Sequence, residues 1–254
     1  KNRLKSVPLA FLLTHPLPES RIADARTRAA AFRTRNIPES INFHLAKTRI
    51  IARYYANPKR NIEYFSDILQ KQSYIFKQAA EYGLALSYLA NEQLKPALKL
   101  INILLSKNPD NLFYLDTYTD IAIEMNQHTN AIDRLSAQII HAPFNPVLTL
   151  NLANVLIQSG NFERAISLLK DYLLINPDNM LAYDLLSDAY RISQQKLEMH
   201  QVKAEVYALV AAYPKAIDEL HTAYNYADKR KIEKQRIRAR IQQFRAAQER
   251  LQTL

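Results

Sequence analysis

Three prolines, Pro109, Pro143 and Pro177, stand 34 residues apart. Three alanines, Ala97, Ala131 and Ala165, keep the same interval, and so do Ile101, Leu135 and Leu169, each four residues after its alanine. A fixed period of this length means one supersecondary unit repeated, each copy burying its apolar face against the next. The phase sets units at 78–111, 112–145, 146–179 and from 180 onward.

The spacing has a physical reading. The small residue lets two antiparallel helices approach closely, while the large residues fill the space between units. Proline ends the second helix, because it lacks an N–H donor and clashes with the preceding turn. Asn-Pro-Asp-Asn at 108–111 and 176–179 supplies a turn and then the N-cap of the next helix. Only two glycines occur, Gly83 and Gly160. β-Hairpins and phosphate-cradling loops rely on glycine at positive φ, so neither is expected. Hydrophobic residues make up 48% of the 254, enough for a core, yet no apolar run approaches the roughly 18 residues of a membrane span. The chain reads as all-α.

The unit "PVLTLNLANVLIQSGNFERAISLLKDYLLINPDN", 146–179, resembles the tetratricopeptide repeat. Leu152 and Ala153 match its paired large and small positions, Leu156 its later apolar position, and Ala165, Leu169 and Pro177 the second helix and terminating proline. Unit 78–111 follows with Leu84, Ala85, Tyr88, Ala97, Ile101 and Pro109. The resemblance implies a superhelix of antiparallel helix pairs. The pattern departs at Met199, where alanine is due, and a shifted unit carries Ala204, Tyr207, Ala216 and Leu220. Residues 41–76 read as a degenerate pair. The final segment reads as one helix with an apolar stripe of Ile237, Ile241, Phe244 and Leu251, and with Asp228 as its N-cap. The expected organisation is an edge segment with a first helix at 1–36, a solenoid at 37–227 and a basic C-terminal capping helix at 228–254.

The net charge of +10 is confined to the ends: 1–35 and 228–254 each carry +6, and the body between them −2. A nucleic-acid-binding domain is expected to carry basic charge on its main body, so nucleic acid is not an expected partner. The C-terminal helix reads either as a solubilising cap on the open end of the stack or as a basic strip for acidic partners or anionic lipid.

In such repeats the first helix lines an inner groove. Here it would present Asp116, Asp120 and Glu124, then Leu150, Asn154 and Gln158, then Asp184 and Asp188, with Tyr82, Tyr88 and Tyr183 near by. The first helices of the four units hold no lysine and only Arg191, which disfavours a clamp for a terminal carboxylate. The acidic ladder reads either as a solvated face or as a protein-binding groove for segments of another chain.

Catalytic chemistry has little to stand on. The absence of cysteine removes thiolate nucleophiles, disulfides and Cys-ligated zinc. Six histidines occur and none forms H-E-x-x-H, so no catalytic residue and no metal site is expected within this chain. His15 differs in its setting: Pro16 holds it extended, and Pro18 and Glu19 open a helix behind it. The preceding apolar run, Val7–Leu13, follows three basic residues but is short, broken by Pro8 and without a cleavage pattern, so a signal peptide is not expected.

"LTHPLPESRIADAR", 13–26, resembles the T-H-P-x-x-x-x-R-I segment of zinc metallopeptidases of the H-E-x-x-H type. Joined to a repeat array, and with "NPVLTLNLAN" (145–154) and the Ala-Glu-x-Tyr-Ala-Leu at 204–209, it is similar to the beta-barrel assembly-enhancing protease family across essentially the whole chain. The resemblance implies a periplasmic zinc protease and chaperone acting in outer-membrane β-barrel assembly and quality control. It implies the barrel-assembly machinery, its clients and an N-terminal protease domain as partners, with zinc as the cofactor of the full-length protein and none in this chain. It makes His15 a zinc-directed regulatory ligand rather than a catalyst. A monomer is expected. The alternative is an unrelated tetratricopeptide adaptor or scaffold with no protease partner domain.

Overall fold

In the computed structural model, residues 18–32, 38–228 and 230–252 are described. They contain thirteen α-helices and no strand. Two units are distinguished, Lys1–Ser40 and Ile41–Leu254. In the first, helix α1 (Pro18–Ala30) begins where Pro18 and Glu19 predict, and the side chains described within it are exposed.

The second unit is a series of antiparallel helix pairs: α2 (Ile41–Tyr54) with α3 (Pro58–Gln70), α4 (Lys77–Ala90) with α5 (Leu94–Lys107), and α6 (Leu112–Glu124) with α7 (His128–His141). They are followed by α8 (Pro146–Gln158) with α9 (Phe162–Ile175), then α10 (Met180–Ile192) with α11 (Lys196–Leu209). The first helices also touch in succession, α2 to α4, α4 to α6, α6 to α8 and α8 to α10, which is what stacks the pairs. The period survives at every level. Ala97, Ala131, Ala165, Ile101, Leu135 and Leu169 are all fully buried. Asn111, Asn145 and Asn179 each cap a first helix, their Oδ1 accepting from backbone N–H groups two or three residues on.

The turn inside each of the four pairs from α4 to α11 is equally regular. Glu92, Asn126, Gly160 and Gln194 all adopt positive φ, at 59°, 56°, 79° and 61°. In each case the next residue's N–H reaches back to a carbonyl five positions earlier, as Asn161 does to Leu156 at 2.8 Å. This is the left-handed helix terminus that favours glycine, yet glycine fills it only at Gly160. Gly83 serves another purpose: a Cβ there would lie 2.4 Å from the Phe65 ring and 2.5 Å from the Thr48 methyl, so α2, α3 and α4 meet over a bare Cα.

The array changes after α10. One core runs from Leu45 to Val202, and a second joins Leu197, Ala204, Ala216, Leu220 and Ala223 to Ile237, Ile241 and Phe244. Helix α11 touches both α10 and α12 (Tyr213–Tyr226), and the α11–α12 crossing is tight because Ala204, Ala216 and Ala223 are fully buried. Met199, half-buried, packs against the first core. The last helix, α13 (Lys231–Gln252), buries Ile237, Ile241 and Phe244 but leaves Leu251 exposed. Asp228 does not cap it: it sits in the preceding turn at φ 38°, three residues before the helix begins. Arg240 ties α13 to α11 through a two-armed ion pair with Glu205, whose Oε1 lies 2.8 Å from Nε.

Candidate functional site

A polar ladder crosses the inner face of four successive first helices. Arg49 of α2 donates from Nε to the Tyr82 hydroxyl of α4 at 2.8 Å, and from Nη2 to Asp116 Oδ2 of α6 at 2.7 Å. Asp116 Oδ1 accepts from Asn151 Nδ2 of α8 at 2.9 Å. The hydroxyl of Thr117 donates to that of Tyr82 at 3.3 Å. The Arg49 guanidinium also lies 5.1 Å from the ring centroid of Phe113. Because these residues recur at intervals close to the repeat length, stacking alone brings them together.

Burial works against charge on Arg49, but Tyr82 and Asp116 outweigh it and its pKa is raised. Burial likewise pushes the Tyr82 phenol upward, against the pull of Arg49. One turn further along α6, burial first and then Asp116 lift the Asp120 carboxyl from 3.8 to about 6, with Glu124 adding to the effect while Arg53 and Arg49 oppose it.

Two depressions open beside the ladder. The first, of about 310 Å³, is lined by Val147, Leu150, Leu181 and Leu185, with Asp116 and Asn154 at its polar edge. The second, of about 710 Å³, is bounded by Glu92, Asp120, Glu124 and Asn154 over Leu89, Leu94 and Ile123. Asn154 lines both, and its side chain makes no hydrogen bond among the described residues.

Four of the predicted groove residues, Asp116, Asp120, Glu124 and Asn154, are thus gathered around these depressions. Asp116 arrives already paired with Arg49. Gln158, Asp184 and Asp188 are exposed and line neither depression, and Asp188 accepts from Arg191 at 2.9 Å. Of the tyrosines, Tyr82 is fully buried, whereas Tyr88 and Tyr183 are half-buried. Arg49 and Asn151 fall outside the groove positions that the repeat spacing predicts. Arg49 lies in the degenerate pair, where no repeat phase marks it, although its interval of 33 residues to Tyr82 is close to the repeat length. His15 lies outside the described residues. Among the described residues no three His, Asp or Glu side chains converge to hold a metal ion, and no step through zinc is assigned to them.

The tetratricopeptide repeat family model matches residues 122–187. A solved structure of nearly identical TPR-like repeats from Podosopora anserina shares the fold, with a TM-score of 0.55 at 17% identity over 68% of this chain and 95% of that one. The beta-barrel assembly-enhancing protease of Escherichia coli (strain K12) is 38% identical over 252 residues, 98% of this chain and 51% of that protein. The chain is homologous to these proteases over half of their length. That of Yersinia pestis is 34% identical over 250 residues, again 98% of this chain and 51% of the relative. The chain therefore spans about half the length of the curated relatives it matches, and that half is a tetratricopeptide superhelix. No described helix is long and apolar enough to cross a membrane.

Proposed function

We propose that this chain is the protein-binding repeat region of a periplasmic protease and chaperone that assists the assembly and quality control of outer-membrane β-barrel proteins. The observation that carries the reading is the 38% identity to a beta-barrel assembly-enhancing protease along 98% of the chain. The two depressions on the inner face support it, since open, part-apolar concavities on a rigid stack suit segments of a partner protein. In this reading the partners are the barrel-assembly machinery, its clients and the chain's own protease domain, and the assembly is monomeric. Catalysis and zinc belong to the full-length protein, and His15 acts as a zinc-directed regulatory ligand.

Affinity capture from solubilised cell envelopes tests the binding role. The wild-type chain is expected to retain barrel-assembly proteins, and the triple variant Asp120→Ala, Asn154→Ala, Leu181→Ser to lose them; equal recovery by both contradicts the proposal. For His15, substitution by Ala in the full-length protein is expected to raise proteolysis, because an imidazole on the metal withholds the position that water needs. Unchanged or lower activity removes that role.

A further inference from the structure

We infer that the inner face takes an extended polypeptide segment carrying an apolar side chain and, close to it, a lysine or arginine. The inference rests on the protein-binding reading above and specifies the chemistry of its partner. The apolar anchor comes first. Leu150, Leu181 and Leu185 reach the first depression from two adjacent helices, and Leu181 remains 56% exposed. An exposed large apolar side chain beside a concavity marks an interaction surface more than an isolated one does.

The charge beside it selects the neighbour. The second depression presents Asp120, Glu124 and Glu92, and no lysine or arginine lines it. None of the three carboxylates is hydrogen-bonded or ion-paired among the described residues, in contrast to Asp116. Arg49 and Arg53 act on Asp120 from α2, Arg49 being already committed to Asp116. Leu89, Leu94 and Ile123 supply an apolar bed, which suits the aliphatic stem of lysine or arginine while its head meets the carboxylates. A carboxylate-bearing side chain is repelled there, and an uncharged polar one lacks the charge attraction.

The two depressions adjoin: Asp116 edges the first and Asp120, one turn along α6, the second, while Asn154 lines both. Asn154 lies between the two depressions with both its amide hydrogens and its oxygen unused, positioned to pair with the backbone of such a segment.

Fluorescence anisotropy with the whole chain and labelled Gly-Ser-Leu-Ser-Arg-Ser-Gly tests this. Replacing the peptide's Arg by Glu is expected to weaken binding at least tenfold. The variant Asp120→Asn/Glu124→Gln should erase that discrimination, and Leu181→Ser should weaken both peptides, with helical circular dichroism unchanged in each variant. Equal binding of the Arg and Glu peptides that remains sensitive to Leu181→Ser overturns the charge selectivity and leaves the inner face as a docking surface. Binding that neither variant changes, or no binding of either peptide, overturns the inference and counts against the inner-face reading as well.

Discussion

Arg49 and Asp116 form an ion pair across 67 residues of sequence, with 2.7 Å between Nη2 and Oδ2 and 24% of each side chain exposed. The pair links α2, in the degenerate helix pair, to α6, and Asn151 extends it to α8. Removing one partner strands the other in a partly desolvated setting. Arg49→Ala should cost about 1–2 kcal/mol, below the full value for a buried pair because water still reaches it. Asp116→Asn should cost a similar amount, since its one amide oxygen can accept from Arg49 only by turning its NH2 toward the Asn151 Nδ2 donor. The midpoint of urea unfolding measures both.

Gly83→Ala should destabilise the stack even though alanine is the better helix former by roughly 1 kcal/mol. The added Cβ would lie 2.4 Å from a ring carbon of Phe65, which is itself buried, as is Thr48 on the other side. Overpacking of this kind costs about 1–3 kcal/mol, so a net loss is expected. Gly160→Ala has open space around it but φ of 79°, and should cost about 1 kcal/mol through the backbone alone. Thermal unfolding of the two variants separates steric from conformational cost.

Glu92 and Gln194 hold the left-handed turn position that Gly160 fills in its own unit. Replacing either by glycine relieves a strain of about 1–2 kcal/mol and introduces a smaller entropic cost. Each substitution is expected to stabilise by about 0.5–1 kcal/mol, read as a higher unfolding midpoint. No gain at either site would show that the side chains contribute contacts that offset the strain.

Asp120 is raised from 3.8 to about 6, by burial first and then by Asp116. Between about pH 4 and 6 the folded chain therefore holds a proton that the unfolded chain has released. This contribution raises stability as pH falls through 6 toward 4, and the ionised carboxylate costs stability above pH 6. Asp120→Asn should stabilise by roughly 1–2 kcal/mol at pH 8, and the gain should vanish near pH 4. Denaturant unfolding at the two pH values measures the difference.

Much of the fold was legible because the repeat writes its own geometry at fixed intervals. Proline, alanine and asparagine at their positions predicted the helix ends, the crossings and the caps, and units 78–111 to 146–179 fall on α4 to α9. The left-handed turns were less visible, because Glu92 and Gln194 occupy a conformation that their residue types do not advertise. The end of the array was harder still. At Met199 a large residue stands where alanine is due, and the fully buried alanine of α11 is Ala204, which belongs to a second core with α12 and α13, while Asp228 falls in a turn rather than at a cap. In the candidate site, the first-helix spacing located Asp116, Asp120, Glu124 and Asn154 but could not supply their partners. Arg49 lies outside the clear repeats, and its pairing follows from stacking rather than local sequence. Asp184 and Asp188 share the ladder's spacing, yet they remain exposed and line neither depression.

Site-specific photocrosslinking in living cells tests the central claim most directly, with the probe at Asn154 or Leu181 on the inner face and at exposed Lys170 of α9 as the comparison. Barrel-assembly components or barrel clients should be trapped from the two inner positions and not from Lys170. Equal trapping from all three, or trapping from Lys170 alone, would contradict recognition by the inner face.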